Sequence, residues 1–145
     1  STFLEQRGMP NVARPHVRFG RLRAPAPAID PSDAYPSAGF VSTPTDLVHL
    51  SRAVLTRIHL SAQSVDLLWG ETTTPDDRAT GYGIGWHRVR IAGNQGWGHG
   101  GSHVGATALL AVLPDLEVAV AVVTNANAPA GALTSVADDL VAATR

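Results

Sequence analysis

The chain has 145 residues, of which 44% are hydrophobic and 16% are charged, and its formal net charge is −1. A chain of this length buries about 68% of its unfolded surface, enough for one hydrophobic core, and this composition is too apolar for disorder. The charge provides no strong field for nucleic acid or a membrane surface, and no apolar run approaches the roughly 18 residues of a spanning helix. Cysteine is absent, which excludes a disulfide framework and a thiolate metal site but leaves the cellular compartment open.

Residues 1–36 contain six prolines, which are spaced too closely for a helix or an inner strand. We therefore predict an ordered but irregular segment, with a disordered linker as the alternative. Its basic residues include Arg14, Arg18, Arg21 and Arg23, with His16 among them. A solvated basic face is the simplest interpretation of this cluster, and binding of an acidic substrate group is the other.

Residues 37–145 contain three predicted helices. The first begins at Thr43, because threonine can cap a helix, Pro44 suits the first helical position, and Asp46 lies near the positive end of the helix dipole. Ser61 caps a second, short helix that ends at Gly70. The predicted buried stripe of the first helix consists of Leu47, Leu50, Val54 and Ile58.

Pro129 opens the third predicted helix. Its spacing places Asp138 and Asp139 toward solvent. The residues predicted to face the core are Leu133, Val136, Ala137 and Leu140.

The stretch between the second and third helices predicts strands of one antiparallel sheet. In residues 81–86, Tyr82, Ile84 and Trp86 share one strand face, and the apolar pattern then shifts in residues 87–91. The runs 106–113 and 117–124 are too apolar to alternate, so both of their faces should be covered. The prediction is an α+β fold: an antiparallel sheet of about four strands with packed helices.

The central segment, Trp97–Gly105, has five glycines in or beside it and two histidines. Glycine removes side chains, so Gly100 and Gly101 allow another molecule to approach the backbone and are candidate substrate-binding residues. His99 lies between glycines with no bulky neighbour to shield it, and it is a candidate catalytic side chain. A structural histidine bonded to a loop carbonyl is the alternative.

Three other interpretations use the same segment. Ser102 as a nucleophile at a Gly-x-Ser-x-Gly elbow falls one glycine short and needs a strand-to-helix turn. Gly96-x-Gly98-x-x-Gly101 matches a dinucleotide fingerprint, which needs a following helix. His99 and His103 have the spacing of a zinc pair on a helix, but the two intervening glycines oppose a helix, and no metal site is predicted.

Two sequence blocks resemble the serine β-lactamase-like, penicillin-binding-protein-type hydrolases. This family includes class C β-lactamases, D-alanyl-D-alanine peptidases, related esterases and the mitochondrial β-lactamase-like protein. The segment His99-Gly-Gly resembles the third motif, His-x-Gly in many esterases and peptidases and Lys-Thr-Gly in others. The segment Ser37-Ala-Gly-Phe-Val-Ser-Thr-Pro-Thr-Asp-Leu47 resembles the family's Ala-Gly-Gly-x-x-Ser-Thr-x-x-Asp-Leu block, and with residues 82–86 the resemblance covers residues 35–127.

The resemblance implies hydrolysis of an ester, peptide or β-lactam through a serine acyl-enzyme, without a metal or organic cofactor. It implies that His99 lines the cleft beside the nucleophile and that the backbone N–H of Ser102 lies in the oxyanion hole. In class C relatives an asparagine in the region of Asn125 and Asn127 helps to hold a substrate carboxylate, so these two residues are candidate substrate-binding residues. Histidine in place of lysine favours ester or peptide hydrolysis over β-lactam hydrolysis.

The family's nucleophile motif, Ser-x-x-Lys, does not occur in this sequence, because all 11 basic residues are arginine. The resemblance therefore implies that residues 1–145 are the C-terminal portion of a single β-lactamase-like domain. The nucleophile, its lysine and the tyrosine of the second motif would lie on an upstream segment or a companion chain. The alternative is a non-catalytic, degenerate module that binds a peptide or a partner protein.

Overall fold

A computed structural model describes residues 3–4, 10–28, 30 and 37–144. Within these residues, no helix has the length and apolar character needed to cross a bilayer. The helices are α1 Pro44–Leu55, α2 Ala62–Trp69 and α3 Ala132–Ala142, and a 3₁₀ turn covers Pro114–Leu116. The strands are β1 Phe3–Leu4, β2 His16–Phe19, β3 Leu22–Pro25, β4 Phe40–Val41, β5 His87–Ile91, β6 Asn94–His103, β7 Ala106–Leu113 and β8 Val118–Thr124.

The main sheet has four antiparallel strands in the order β5-β6-β7-β8. Each of its first two connections is a two-residue turn, and such turns need backbone with positive φ, which Ala92 (48°), Gly93 (79°) and Gly105 (76°) supply. The prediction of an antiparallel sheet of about four strands is confirmed. The glycine–histidine segment forms the end of the inner strand β6, as expected.

Both faces of the sheet are covered, as the apolar runs predicted. On one face, α3 packs Ala137 and Val141 against a cluster of buried apolar side chains from β5, β7 and β8. The members of this cluster from the sheet are Ile91, Leu109, Ala111, Leu113 and Val120. Alternate residues of β8 point the other way, so Ala119 lines a cleft with residues of α1 and α2.

The caps of the first two helices are confirmed. Thr43 Oγ1 accepts the N–H of Asp46 at 3.1 Å, and Ser61 Oγ accepts the N–H of Ser64 at 3.0 Å. The predicted stripe of α1 is wrong at two of its four positions, because Leu50 is 55% exposed and Ile58 lies beyond the helix. The buried face instead includes Ser51, whose hydroxyl donates to the Leu47 carbonyl at 3.0 Å and so needs no partner outside the helix.

The inward face of α3 also differs from the prediction. Val136 and Leu140 are about half exposed (46% and 49%), and the helix begins at Ala132 rather than at Pro129. Asp138 does not face solvent freely: its Oδ1 accepts the N–H of Ala92 at 2.6 Å, at the β5–β6 turn. In this orientation of α3, Ala137 and Val141 are the buried pair.

Two local predictions are corrected. Residues 81–86 do not form a strand, because the N–H of Gly83 donates to the Trp86 carbonyl at 2.7 Å and closes a tight turn. Trp86 therefore packs edge-on against Trp69 of α2, while Tyr82 faces the end of β6. The proline-rich segment is not wholly irregular either, since it contains the β2–β3 hairpin, with Pro25 at a strand end where its missing N–H is tolerated.

Candidate functional site

The end of β6 extends beyond its neighbour β5. In the register, His87 at the start of β5 lies opposite Gly98, so residues 99–103 pair only with β7. The two-residue turn makes His103 and Ala106 the closing hydrogen-bonded pair. Along an antiparallel ladder, hydrogen-bonded pairs alternate with non-hydrogen-bonded pairs, so Gly100 and Ser102 belong to non-hydrogen-bonded pairs. The backbone N–H and C=O groups of Gly100 and Ser102 are therefore directed away from β7, toward the side where β5 has ended.

A cleft lies along this exposed edge, next to His99. Its volume is about 480 Å³, and it is lined by Thr80, Gly81, Tyr82, His87, Arg88, His99 and Gly100. Three rings meet there: His99 lies 5.6 Å from His87 and 6.0 Å from Tyr82, measured between ring centroids. The structure thus places His99, the leading sequence candidate, on the wall of a cleft.

His99 has a hydrogen-bond partner on each ring nitrogen. Nδ1 lies 2.8 Å from the carbonyl oxygen of Gly100, and Nε2 lies 2.6 Å from the hydroxyl of Tyr82. Tyr82 and His87 were not among the predicted site residues, because both reach the site through the tight turn at residues 83–86. The signal that was available is the alternation of glycines in Tyr-Gly-Ile-Gly, which is more typical of a turn than of a strand.

Arg88 supplies the positive charge at the cleft. Its guanidinium carbon lies 4.4 Å from the centroid of the Trp97 ring, an arrangement that holds the long side chain in place through a cation–π contact. Its backbone N–H donates to the Gly81 carbonyl at 2.8 Å, which ties the start of β5 to the tight turn. A permanently charged, oriented guanidinium is suited to binding an anionic group.

Ser102 is held by its hydroxyl as well as by the strand. The hydroxyl lies 3.3 Å from the Ala106 carbonyl and 3.3 Å from Thr107 Oγ1, and it accepts from Asn127 Nδ2 at 3.2 Å. The chain continues from Ser102 through a turn into β7, not into a helix. The nucleophile elbow and the dinucleotide fingerprint are both wrong, because each requires a helix at this point.

The two predicted substrate asparagines lie at the end of β8 and contact the chain itself. Asn127 accepts the N–H of Gly105 at 3.0 Å and donates to the His103 carbonyl at 2.8 Å, so it fixes the β6–β7 turn. Asn125 donates to the Arg14 carbonyl at 3.0 Å. These contacts give both side chains a structural role, and their part in substrate binding stays a prediction.

Gly100 and Gly101 lie on the exposed part of β6. A Cβ atom added at Gly101 would meet nothing within 4 Å, and one at Gly100 would make ordinary contacts of 3.6 and 3.8 Å. Neither glycine is needed to relieve crowding within the described structure. This geometry agrees with the expectation that they leave the strand open to a molecule outside the chain, which stays a prediction.

The fold and the sequence agree on the class of protein. The sequence profile described as Beta-lactamase matches residues 1–143. The chain therefore belongs to the β-lactamase family, as its resemblance implied. Among proteins with curated descriptions, none is significantly similar to it.

Three solved structures have a similar fold. A D-amino acid amidase from Ochrobactrum anthropi SV3, complexed with D-phenylalanine, superposes with a TM-score of 0.70 at 20% identity and covers 98% of this chain. A D-stereospecific amidohydrolase from Streptomyces sp. gives 0.64 at 21% identity over 81% of the chain, and SurE gives 0.63 at 22% identity over 95%. The chain spans 48%, 36% and 33%, respectively, of the length of these proteins.

Proposed function

We propose that this chain supplies the part of a serine hydrolase site that binds and orients the acyl group, while the nucleophile is supplied from outside the 145 residues. The observation that supports this most strongly is the extension of β6 past β5. It leaves the N–H of Ser102 directed to an open side, three residues along the strand from His99, which lies on the wall of a cleft. An oriented backbone donor beside an open cleft is the arrangement that stabilises an oxyanion.

In the proposed reaction, a serine hydroxyl from the upstream segment or companion chain attacks the substrate carbonyl. The lysine and tyrosine of that part take up its proton. The carbonyl oxygen becomes an oxyanion, which accepts a hydrogen bond from the N–H of Ser102. The carbonyl then re-forms, the leaving group departs with a proton, and the serine ester is hydrolysed by water in a second cycle of the same steps. His99 and the two following glycines orient the acyl group throughout.

The proposed substrates are small esters, peptides or amides, and β-lactams. Two of the structures with a similar fold are named for action on D-amino acid amides or for D-stereospecific hydrolysis. D-configured amides and p-nitrophenyl esters are therefore the first substrates to test, with nitrocefin as the β-lactam. Arg88 favours substrates that carry an anionic group near the acyl carbon.

The proposal predicts that His99→Ala, in the complete protein that contains the serine, lowers kcat about a hundredfold while the protein remains folded. The physical reason is that loss of a group that orients or polarises the acyl centre costs about 2.7 kcal/mol of transition-state stabilisation. The measurement is steady-state turnover of the best ester or amide substrate, with circular dichroism to confirm folding.

The matched control is His103→Ala, which changes an exposed histidine on the same strand, four residues closer to the β6–β7 turn. It should leave kcat within about threefold of the parent, since surface changes have small effects. Folded His99→Ala protein with kcat within threefold of the parent would remove His99 from the mechanism. A complete protein in which no Ser-x-x-Lys occurs would instead favour the non-catalytic module.

A further inference from the structure

The contacts of His99 define which of its nitrogens carries the proton. The Gly100 carbonyl can only accept a hydrogen bond, so Nδ1, at 2.8 Å from it, must carry a hydrogen. In a neutral imidazole the other nitrogen is then an acceptor. Nε2 must therefore receive the O–H of Tyr82, at 2.6 Å. The arrangement is the Nδ1–H tautomer, the less populated form of a free histidine side chain in water.

Tyr82 is well placed to hold the ring in this orientation because its backbone is fixed on both sides. Its carbonyl accepts from the N–H of Thr72 at 2.8 Å and from the hydroxyl of Thr72 at 2.9 Å. Its own N–H donates to Thr80 Oγ1 at 3.1 Å. The tight turn at residues 83–86 then follows directly, so the ring is held at the cleft rather than carried by a loose loop.

The third ring of the cluster, that of His87, restricts the rotation of the His99 ring. His87 lies 5.5 Å from the Tyr82 ring and 5.6 Å from the His99 ring, between centroids. Its Nδ1 is already committed to the Arg88 carbonyl at 3.0 Å. His87 therefore packs against both rings and restricts their rotation, while the hydroxyl of Tyr82 remains the group that bonds to His99 Nε2.

We propose that Tyr82 is a positioning residue: its hydroxyl donates to His99 Nε2 and, together with the Gly100 carbonyl on Nδ1, holds the imidazole in the Nδ1–H tautomer facing the cleft. In this state both ring nitrogens are occupied, so the imidazole has no free N–H for the oxyanion. The donor to the oxyanion is the backbone of Ser102, and His99 acts by orienting the acyl group. The effect on turnover rests on the proposed function, whereas the tautomer does not.

The first test needs no variant. The ¹⁵N chemical shifts of the His99 ring are measured by NMR in the full-length protein, at a pH where the ring is neutral. The expected result is a protonated Nδ1 and an unprotonated Nε2. A protonated Nε2 overturns the proposal, whatever the activity of the protein.

The second test is Tyr82→Phe, which removes only the hydroxyl. The expected result is that Nδ1 stays protonated, because the Gly100 carbonyl still accepts from it, while the ¹⁵N shift of Nε2 changes because its donor is lost. We expect kcat to fall about fivefold to tenfold, with KM within about twofold, because one hydrogen bond that orients the ring is lost. In a His99→Ala background the same change should not alter kcat, since there is no ring to position. A fall in kcat that persists in that background, or an unchanged ¹⁵N shift of His99 Nε2 in Tyr82→Phe, overturns the proposal. If no substrate is turned over at all, the proposed function fails while the NMR result still decides the tautomer.

Discussion

At the scale of single residues, the glycines of this chain have two different reasons to be glycine. Gly105 has a φ of 76°, and a Cβ added there would lie 2.8 Å from Ala26 Cβ, His16 N and Pro15 Cβ. Both the backbone conformation and the space therefore exclude a side chain. Gly101, by contrast, has open space around the position of its absent Cβ. One glycine is needed to join the N-terminal segment to the sheet, and the other is free to serve a function.

This difference predicts opposite outcomes for the same substitution. Gly105→Ala should lower the free energy of unfolding by about 2–4 kcal/mol, the sum of a left-handed backbone penalty and of overpacking. Gly101→Ala should change it by no more than about 0.5 kcal/mol. The measurement is denaturant unfolding of both variants beside the parent. Equal effects at the two positions would contradict the packing argument.

The sequence allowed His99 to be predicted as the central residue because its neighbours are glycines and its motif is characteristic of the family. It did not allow Tyr82 to be predicted as the partner of His99. The contact between them joins residues 17 positions apart, and it depends on a turn whose hydrogen bonds involve only backbone atoms. Side-chain periodicity carries no information about such a turn, so residues 81–86 were predicted as a strand.

At the scale of elements, capping residues were predicted more accurately than buried faces. Thr43 and Ser61 cap α1 and α2 as expected, because a cap is decided by the residue and its next three neighbours. Which face of a helix is buried is decided by the element it packs on. In α1 a serine is buried in preference to Leu50, since Ser51 satisfies its hydroxyl within the helix and fits close to the sheet.

One charged hydrogen bond joins α3 to the β5–β6 turn. Asp138 Oδ1 accepts the N–H of Ala92, a half-buried contact between the helix and the β5–β6 turn. We expect Asp138→Ala to lower the free energy of unfolding by about 1.5–3 kcal/mol, because the N–H at the turn loses a charged acceptor. Asp139→Ala changes the exposed neighbour on the same helix and should have an effect within about 0.5 kcal/mol. Thermal or denaturant unfolding of the pair decides the point, and similar losses for both would show that this bond does not hold the helix.

A second element, the hairpin of residues 72–80 that leads to the cleft, contains a carboxylate with two partners within the hairpin. The hydroxyl of Thr74 donates to Asp76 Oδ1 at 2.5 Å, and Arg78 Nε lies 2.8 Å from Asp76 Oδ2. The hydrogen bond from Thr74, with the contact to Arg78, holds the pKa of this carboxyl below its usual range. Since the pKa is lowered by folding, the contribution is present above the pKa of the unfolded chain and is lost as the pH falls through the folded value. Thr74→Val should raise the pKa of Asp76 toward its ordinary value. An NMR titration of Asp76 measures this, and an unchanged pKa would contradict the assigned cause.

At the scale of the whole molecule, the sheet of the described residues ends at β8, which pairs with β7 on one side only. Its sequence, from Val118 to Thr124, is apolar apart from the final threonine. An apolar edge strand with unpaired N–H and C=O groups is a template for another strand. We propose that the segment carrying the serine pairs here, which would complete the sheet and bring the nucleophile to the same domain as His99.

The register of β8 gives a direct test of this edge. Thr107 and Thr124 form a hydrogen-bonded pair at the end of the β7–β8 ladder, and such pairs alternate with non-hydrogen-bonded pairs. The N–H of Val122 is therefore directed toward β7, and that of Val123 is directed toward the outer edge. Residues 1–145 alone should therefore self-associate and bind an apolar dye, and Val123→Pro should reduce both, since it removes an outward N–H and leaves the β7 ladder intact. Val122→Pro is the matched control: it breaks a ladder bond and should lower the free energy of unfolding without relieving association.

In the complete protein, Val123→Pro should also lower turnover by disturbing the junction with the serine-bearing segment. A 145-residue chain that is monomeric, does not bind the dye and unfolds in a sharp, reversible, concentration-independent transition would contradict the idea that this edge needs a partner.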